Sequence, residues 1–458
     1  MNSTNARSLG PWRSWSLVVG GTIGSAVFMM PALVVPYGGV GLLSLAAGGV
    51  GALFVAVTLG NLSRRVTSSG GPYAYARAGL GDFAGFLIAW AYWISQWTTC
   101  AAMAIAFSAY LGRVLPMVAA LPVLAIAAGV AITWSVVATN VAGVRESGIV
   151  GLVTTLLKLA PLIVIGTVGL LCADSKNLPR WNPGSGDSLY LFASAFGLTF
   201  WNYIGIESAT VPAEDVLDSQ KTISRALVLG TLTIIVLYLL VAFATMGIIP
   251  ASVLATSDSP LADVGKRIAG SWGGTFVTVG ALISIVGALN ITVLCAGQMS
   301  MVAARDQVFP AFFKRMTARN TPGVSYIIVG VLTTAMILMN YTKGLIGAYK
   351  FIILIATLTS VIPYAFGAVA ALLLDVRDRQ MPRRRRIREA TTAVVAFVVC
   401  FWVIATAGQE SVYWVFLLLM GGIPVYVVVT RNEHLNDDAP ANVDGKQALR
   451  RQFLDPQS

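Results

Sequence analysis

Two stretches decide how this chain of 458 residues is read: Gly20-Gly21-Thr22-Ile23-Gly24-Ser25 and Trp201-Asn202-Tyr203-Ile204-Gly205-Ile206-Glu207-Ser208. Each lies inside a long apolar run and puts glycine and polar residues where a simple membrane helix would carry leucine and valine. Both therefore read as helices broken near mid-length. In hydrocarbon every backbone N–H and C=O needs a partner, so irregular backbone is tolerated only where it is buried in protein or lines a cavity. The first stretch alone suits close helix packing through small residues as well as binding. The matching second stretch favours binding at the middle of the bundle.

Outward from these stretches, the composition is 56% hydrophobic and 11% charged, where a soluble domain carries roughly 25% charged residues. The chain reads as an integral membrane protein. Apolar runs near 15–36, 40–62, 83–112, 117–140, 147–172, 190–212, 223–249, 272–304, 323–341, 346–374, 390–407 and 412–430 give twelve spans of about 20 residues. Most Lys and Arg, from Arg7 and Arg13 through Arg64, Arg65 and Arg77 to the Arg383–Arg386 run, fall in alternate gaps. By the positive-inside rule both termini face the cytoplasm. The same rule accounts for the arginine run as a topology anchor, without a nucleic-acid partner. The expected division is a cytoplasmic segment 1–14, a transport core 15–374 of spans 1–10, a basic cytoplasmic loop 375–389, spans 11–12 over 390–430, and a polar cytoplasmic tail 431–458. The first span is expected to be retained, since no A-x-A-like cleavage site follows it. The broken first and sixth spans open two sets of five helices, the sequence pointer to an inverted-repeat transporter.

Several chemistries drop out. Cys100, Cys172, Cys295 and Cys400 are scattered singly, so neither a disulfide framework nor a zinc site is suggested. His434, the only histidine, sits in the polar tail, which removes HExxH metallopeptidases, haem ligation and Ser-His-Asp hydrolysis. The string Gly79-Leu80-Gly81-Asp82 matches the GxGD of intramembrane aspartyl proteases, but that chemistry needs a second membrane aspartate to share a proton. No nucleotide-binding GxxxxGK[ST] occurs. No enzyme, cofactor or metal is expected, and energy must come from gradients.

The chain resembles the amino acid–polyamine–organocation superfamily, and within it the basic amino acid/polyamine antiporter group. The likeness is carried by GGTIGSAVFMMP at 20–31, GGPYAYAR at 70–77, FWNYIGIESATVPAEDV at 200–216, KTISRA at 221–226, AGQMSMVAARDQVFP at 296–310, TPGVS at 321–325 and VIPY at 361–364. It implies an all-α integral membrane fold of twelve transmembrane helices, a LeuT-like five-plus-five inverted repeat with broken helices 1 and 6. It also implies transport, often by a homodimer, with an amino acid or amine, protons and the lipid bilayer as the expected partners, while the compact loops suit a multi-pass protein of the bacterial inner membrane.

A broken helix leaves unpaired N–H groups at the start of its second half, a positive dipole end suited to a carboxylate. Gly24, Ser25 and Ala26 are the expected donors. Carbonyls around Thr22, Ile23, Trp201 and Ile204 are the expected acceptors for an α-ammonium. By the resemblance Trp201 closes over the substrate, with simple packing as the plainer reading. Further pocket positions fall at Ser95, Gln96, Cys100, Met103, Thr292 and Ala356. Cys100 and Thr292 stand where the family carries an asparagine and a tryptophan for a guanidinium, which removes a stacking platform worth roughly 0.5–2 kcal/mol.

Charges within spans are functional hypotheses by default, and two stand out. Glu207 is tied by the resemblance to gating and acid response. Lys158, in the fifth span, stands where proton-coupled relatives place an ammonium in a sodium ion's position; a snorkelling or structural lysine is the plainer reading. Tyr92 and Tyr364 fall at aromatic gates of the family, or are ordinary buried tyrosines. Glu214 and Asp215, with Lys221 and Arg225, form either an inner gate or a solvated loop. The function expected is secondary active, proton-linked amino acid transport by alternating access. The alternative is obligate exchange of a basic amino acid for its amine, as in arginine/agmatine exchange. An intramembrane protease is the reading from another class.

Overall fold

The computed structural model describes residues 9–183, 187–339, 344–378 and 380–437; along 144–152, at 344 and along 432–437 it describes the backbone alone. The start of the N-terminal segment, the end of the tail and the His434 side chain lie outside these descriptions. Among the described residues the chain is all-helical: α1 (Pro11–Thr22), α2 (Ala26–Val34), α3 (Gly38–Ser63), α4 (Pro72–Leu80), α5 (Asp82–Val114), α6 (Pro116–Ala120), α7 (Pro122–Ala142), α8 (Val144–Leu171), α9 (Ser188–Thr199), α10 (Ser219–Ile248), α11 (Ala251–Leu254), α12 (Pro260–Arg305), α13 (Gly323–Met339), α14 (Gly344–Arg377), α15 (Arg383–Thr406), α16 (Gln409–Met420) and α17 (Gly422–Asp437). The one β contact is an isolated bridge between Leu9 and Val216.

Nine helical segments of the described residues are long and apolar enough to cross a membrane. The 33 residues of α5 reach about 50 Å at 1.5 Å per residue, but its Ser95–Cys100 stretch is too polar and aromatic for that count. This helix lies at the centre, packed on both α12 and α14, while α8 packs on α12 and α10. The outward faces carry apolar side chains, among them Leu156, Val236, Val398 and Phe401, the composition that hydrocarbon requires.

Both expected breaks are present. Between α1 and α2 the residues Ile23, Gly24 and Ser25 leave the helix. After α9 the backbone continues as 3-10 turns over Phe200–Tyr203, Ile206–Thr210 and Ala213–Asp215 rather than resuming an α-helix. The cause is local. Gly205 takes φ +105°, and the hydroxyls of Ser208 and Thr210 donate to the carbonyls of Gly205 and Glu207, at 2.6 and 2.7 Å. Such side-chain bonds compete with the α-helical ladder. A third interruption falls at Ala269 and Gly270 inside α12, just before the apolar run that starts at 272.

The two breaks touch through glycine. A Cβ on Gly21 would lie 2.4 Å from the Ser208 Oγ, and one on Gly205 would lie 2.8 Å from the Gly21 carbonyl oxygen. At the polar ends, Arg65 bridges Asp375 at 2.5 Å and Glu389 at 2.6 Å, and Arg385 reaches Glu389 at 2.7 Å. The basic stretch expected as a loop over 375–389 is thus mostly helical, with α14 running to Arg377 and α15 opening on Arg383. Asp82, of the GxGD string, pairs with Arg77 at 2.7 Å and is 70% exposed, and Arg77 also reaches Asp306 at 2.8 Å. That environment is a surface ion-pair cluster, not a proton-sharing aspartate dyad.

Gly205 and Gly81 both have positive φ, yet a Cβ on Gly81 meets nothing within 4 Å. At Gly81, with φ 92° and ψ −177°, Gly81→Ala should cost only the backbone term, about 1–3 kcal/mol. Gly205→Ala should cost more and lower the midpoint of thermal unfolding in detergent further. Equal midpoints for the two variants would mean that the broken helices do not meet through Gly205.

Candidate functional site

Around the breaks lies a cavity lined by Gly21, Thr22, Gly24, Ser25, Ala26, Gln96, Thr99, Met103, Trp201, Ile204, Gly205, Glu207, Ser208 and Thr292. Its volume is about 20 Å³, room for little more than one water.

The start of α2 supplies donors. The N–H groups of Ser25, Ala26 and Val27 have no partner among the described residues, as the first groups of a helix do, whereas the Gly24 N–H is bonded to the Thr22 carbonyl at 2.9 Å. Acceptors are more selectively filled. The Thr22 carbonyl takes Gly24 and, at 3.1 Å, the Tyr238 hydroxyl. The Ile23 carbonyl takes Lys158 Nζ at 2.5 Å and Ser284 Oγ at 3.2 Å. The Trp201 carbonyl takes the Ile204 N–H at 3.2 Å. A carbonyl has two lone pairs, so Thr22 and Ile23 are saturated inside the protein. By contrast, the carbonyls of Gly21 and Ile204 accept nothing from the described residues.

Lys158 is fully buried and also bonds the Gly20 carbonyl, at 2.7 Å. Its ammonium therefore stands at the carboxyl end of α1, the negative end of the helix dipole, next to α12, which contributes Ser284. On the other side of the cavity three donors converge on Glu207: Tyr92 at 3.1 Å, the Gly205 N–H at 3.1 Å and Tyr364. Both rings are buried, and both hydroxyls are bonded to Glu207. Trp201 borders the cavity, and its Nε1 donates to the Tyr349 hydroxyl at 3.2 Å.

Of the remaining sequence candidates, Gln96, Met103 and Thr292 line the cavity, while Ser95, Cys100 and Ala356 are buried outside its wall. The Ser95 hydroxyl donates back to the Tyr92 carbonyl at 2.7 Å. Thr99, which sequence reasoning passed over, takes the wall position expected of Cys100. One residue of register is about 100° of helix rotation, enough to turn a side chain away. The Thr99 hydroxyl is buried without a partner. Tyr349, Tyr238 and Ser284 were also missed, because a lone hydroxyl within an apolar run carries no pattern. Glu214 and Asp215 are exposed, in a short 3-10 turn, and do not line the cavity. Glu214 exchanges bonds with Ser69 at 3.2 Å, and the Asp215 carbonyl accepts the Leu9 N–H at 3.1 Å, so the segment joins Leu9 to the connection between α3 and α4. Burial, then the neighbouring charge of Glu214, pushes the Asp215 carboxyl above its usual value.

A family model described as amino acid permease matches residues 9–429. An arginine/ornithine antiporter of Pseudomonas aeruginosa is 30% identical over 413 residues, 86% of this chain and 85% of that protein. An L-lysine transport protein of Corynebacterium glutamicum is 26% identical, covering 90% of this chain and 87% of its own length. An arginine/agmatine antiporter of Chlamydia abortus is 27% identical, at 93% and 90%. A break lined with free N–H groups and carbonyls, in a multi-pass helical chain with this likeness over nearly its full length, leads to one conclusion: the chain belongs to the amino acid permease family of the amino acid–polyamine–organocation superfamily, whose members are membrane transporters and not enzymes.

Proposed function

We propose that this transporter binds the zwitterionic head of an amino acid between the two broken helices and carries it by alternating access, driven by protons. The observation that carries this reading is the pairing of free donors at Ser25 and Ala26, with the Val27 N–H one residue further into α2, and free acceptors at Gly21 and Ile204 on one small cavity. A carboxylate belongs on the donors, at the positive end of α2, and an α-ammonium on the acceptors. The cavity is too small for an amino acid, so transport requires the lid at Trp201 or the clamp on Glu207 to open. Around this site we read twelve crossings in a five-plus-five inverted repeat, with both termini cytoplasmic and the chain in the inner membrane as a homodimer.

Coupling is assigned to Lys158. Its ammonium supplies the donors for the Gly20 and Ile23 carbonyls that the break exposes. Loss of its proton weakens that tie, so the angle of α1 against α8 and α12 becomes sensitive to protonation. A bound sodium ion is not needed where an ammonium already serves these oxygens. The second reading, exchange of a basic amino acid for ornithine or agmatine, is favoured by the names of the relatives. Against it stands Thr292, which offers a cation no aromatic face.

Uptake of radiolabelled amino acids into proteoliposomes separates the two. Under the proposal, an inward proton gradient drives accumulation in empty vesicles without sodium, and Lys158→Ala abolishes it. Accumulation only when arginine, ornithine or agmatine is preloaded, indifferent to the gradient, would establish exchange and leave Lys158 a structural cation. Sodium-dependent uptake would overturn the assignment of the Lys158 site.

Glu207 is proposed as the proton-sensitive part of the opposite gate. A proton placed on its carboxyl opposes one of three converging donors, so protonation loosens the clamp. Glu207→Gln puts a permanent N–H₂ there, and should slow transport about tenfold or more, the equivalent of losing a bond to a charged group, while flattening the pH profile. An unchanged pH profile would remove Glu207 from gating.

A further inference from the structure

We infer that Tyr349 is a positioning residue that couples the substrate carboxylate to closure of the Trp201 lid, through a one-way relay of hydrogen bonds ending at Ser25. The inference rests on the zwitterion site proposed above and extends it to a residue outside the cavity wall.

The direction of the first bond is fixed by chemistry and that of the second by its geometry. An indole Nε1 can only donate, so at 3.2 Å the Tyr349 oxygen accepts from Trp201. The Tyr349 hydroxyl then donates its own proton to Ser25 Oγ at 3.0 Å. The Ser25 oxygen is thereby an acceptor, and its remaining O–H has no acceptor among the described residues, although Ser25 lines the cavity. All three side chains are buried, with Tyr349 fully so and Ser25 1% exposed. The relay thus runs from lid to tyrosine to serine and leaves one donor at the cavity, beside the free N–H groups of the α2 start. An anionic oxygen is the partner that completes it. Chains of hydrogen bonds aligned in one direction strengthen one another, so a carboxylate on Ser25 reinforces the bond that holds Trp201 closed.

Tyr349 belongs to α14, the helix that also carries Tyr364. The two tyrosines are separated along its axis by about 22 Å at 1.5 Å per residue. One thus holds the lid through Ser25 while the other holds Glu207, and a tilt of α14 acts on both.

The test uses the full-length protein in detergent, with L-arginine and L-argininamide, and L-alanine and L-alaninamide, as probes; the pair whose acid binds the wild type more tightly is followed. An amide keeps the α-ammonium but lacks the negative charge. Tyr349→Phe keeps the ring and removes the hydroxyl. Affinity for the acid should fall roughly 5–20-fold, as for one buried hydrogen bond, and that for the amide by less than about twofold. In the Trp201→Phe background or the Ser25→Ala background, Tyr349→Phe should add less than about twofold, since the relay is already cut. Equal losses for acid and amide, or losses that multiply in the double variants, would overturn the relay and leave Tyr349 a packing residue. If the wild type binds acid and amide alike, the carboxylate reading of the site itself fails, and the relay with it. If the wild type prefers the acid and Tyr349→Phe keeps that preference, the site stands and the relay alone is refuted.

Discussion

The constraint on which the rest of this structure depends is the backbone left over when two helices break inside a membrane. No water is available there to accept stray N–H and C=O groups, so each must be bonded by the protein or by what the protein carries. The chain closes most of these accounts itself. Lys158 and Ser284 cover the end of α1, Tyr238 and the Gly24 N–H cover Thr22, and Ser208 covers Gly205. Among the groups that remain on the cavity are the N–H groups of Ser25 and Ala26 on one side and the carbonyls of Gly21 and Ile204 on the other. A zwitterion has the complementary pattern.

The close contact of the breaks follows from side-chain size. Only glycine at 21 and 205 lets the two backbones approach, and Ser208 fills the space a side chain on residue 21 would take. That approach brings the Ile204 carbonyl and the Ser25 donors to a single cavity, with Glu207 at its margin. The tyrosines of α5 and α14 then surround the site without lining it: Tyr92 and Tyr364 on Glu207, and Tyr349 on Ser25. Binding and closure therefore share hydrogen bonds.

The sequence made the breaks legible because glycine, Glu207 and Lys158 violate the apolar pattern of a membrane span. It also marked the right segments for the wall, at 22–26, 95–103 and 201–207. Finer assignments depended on rotation about helix axes, which composition does not set. Thr99 faces the cavity in place of Cys100, and the saturated carbonyls of Thr22 and Ile23 follow from partners as far away as Ser284. The second half of the broken sixth segment was expected as helix. Hydroxyls bonding back to nearby carbonyls make it a series of 3-10 turns instead. Arg383 to Arg386 read as loop because charge suggests solvent, yet α15 begins there and Glu389 and Asp375 draw the arginines of two helices together.

The head-group assignment is the central claim, and a cryo-electron microscopy structure with a bound L-amino acid tests it most directly. The account predicts the carboxylate oxygens about 2.7–3.2 Å from the N–H groups of Ser25, Ala26 and Val27, and the α-ammonium on the carbonyls of Gly21 and Ile204. An ammonium seated on Glu207, with the carboxylate away from the start of α2, would contradict it.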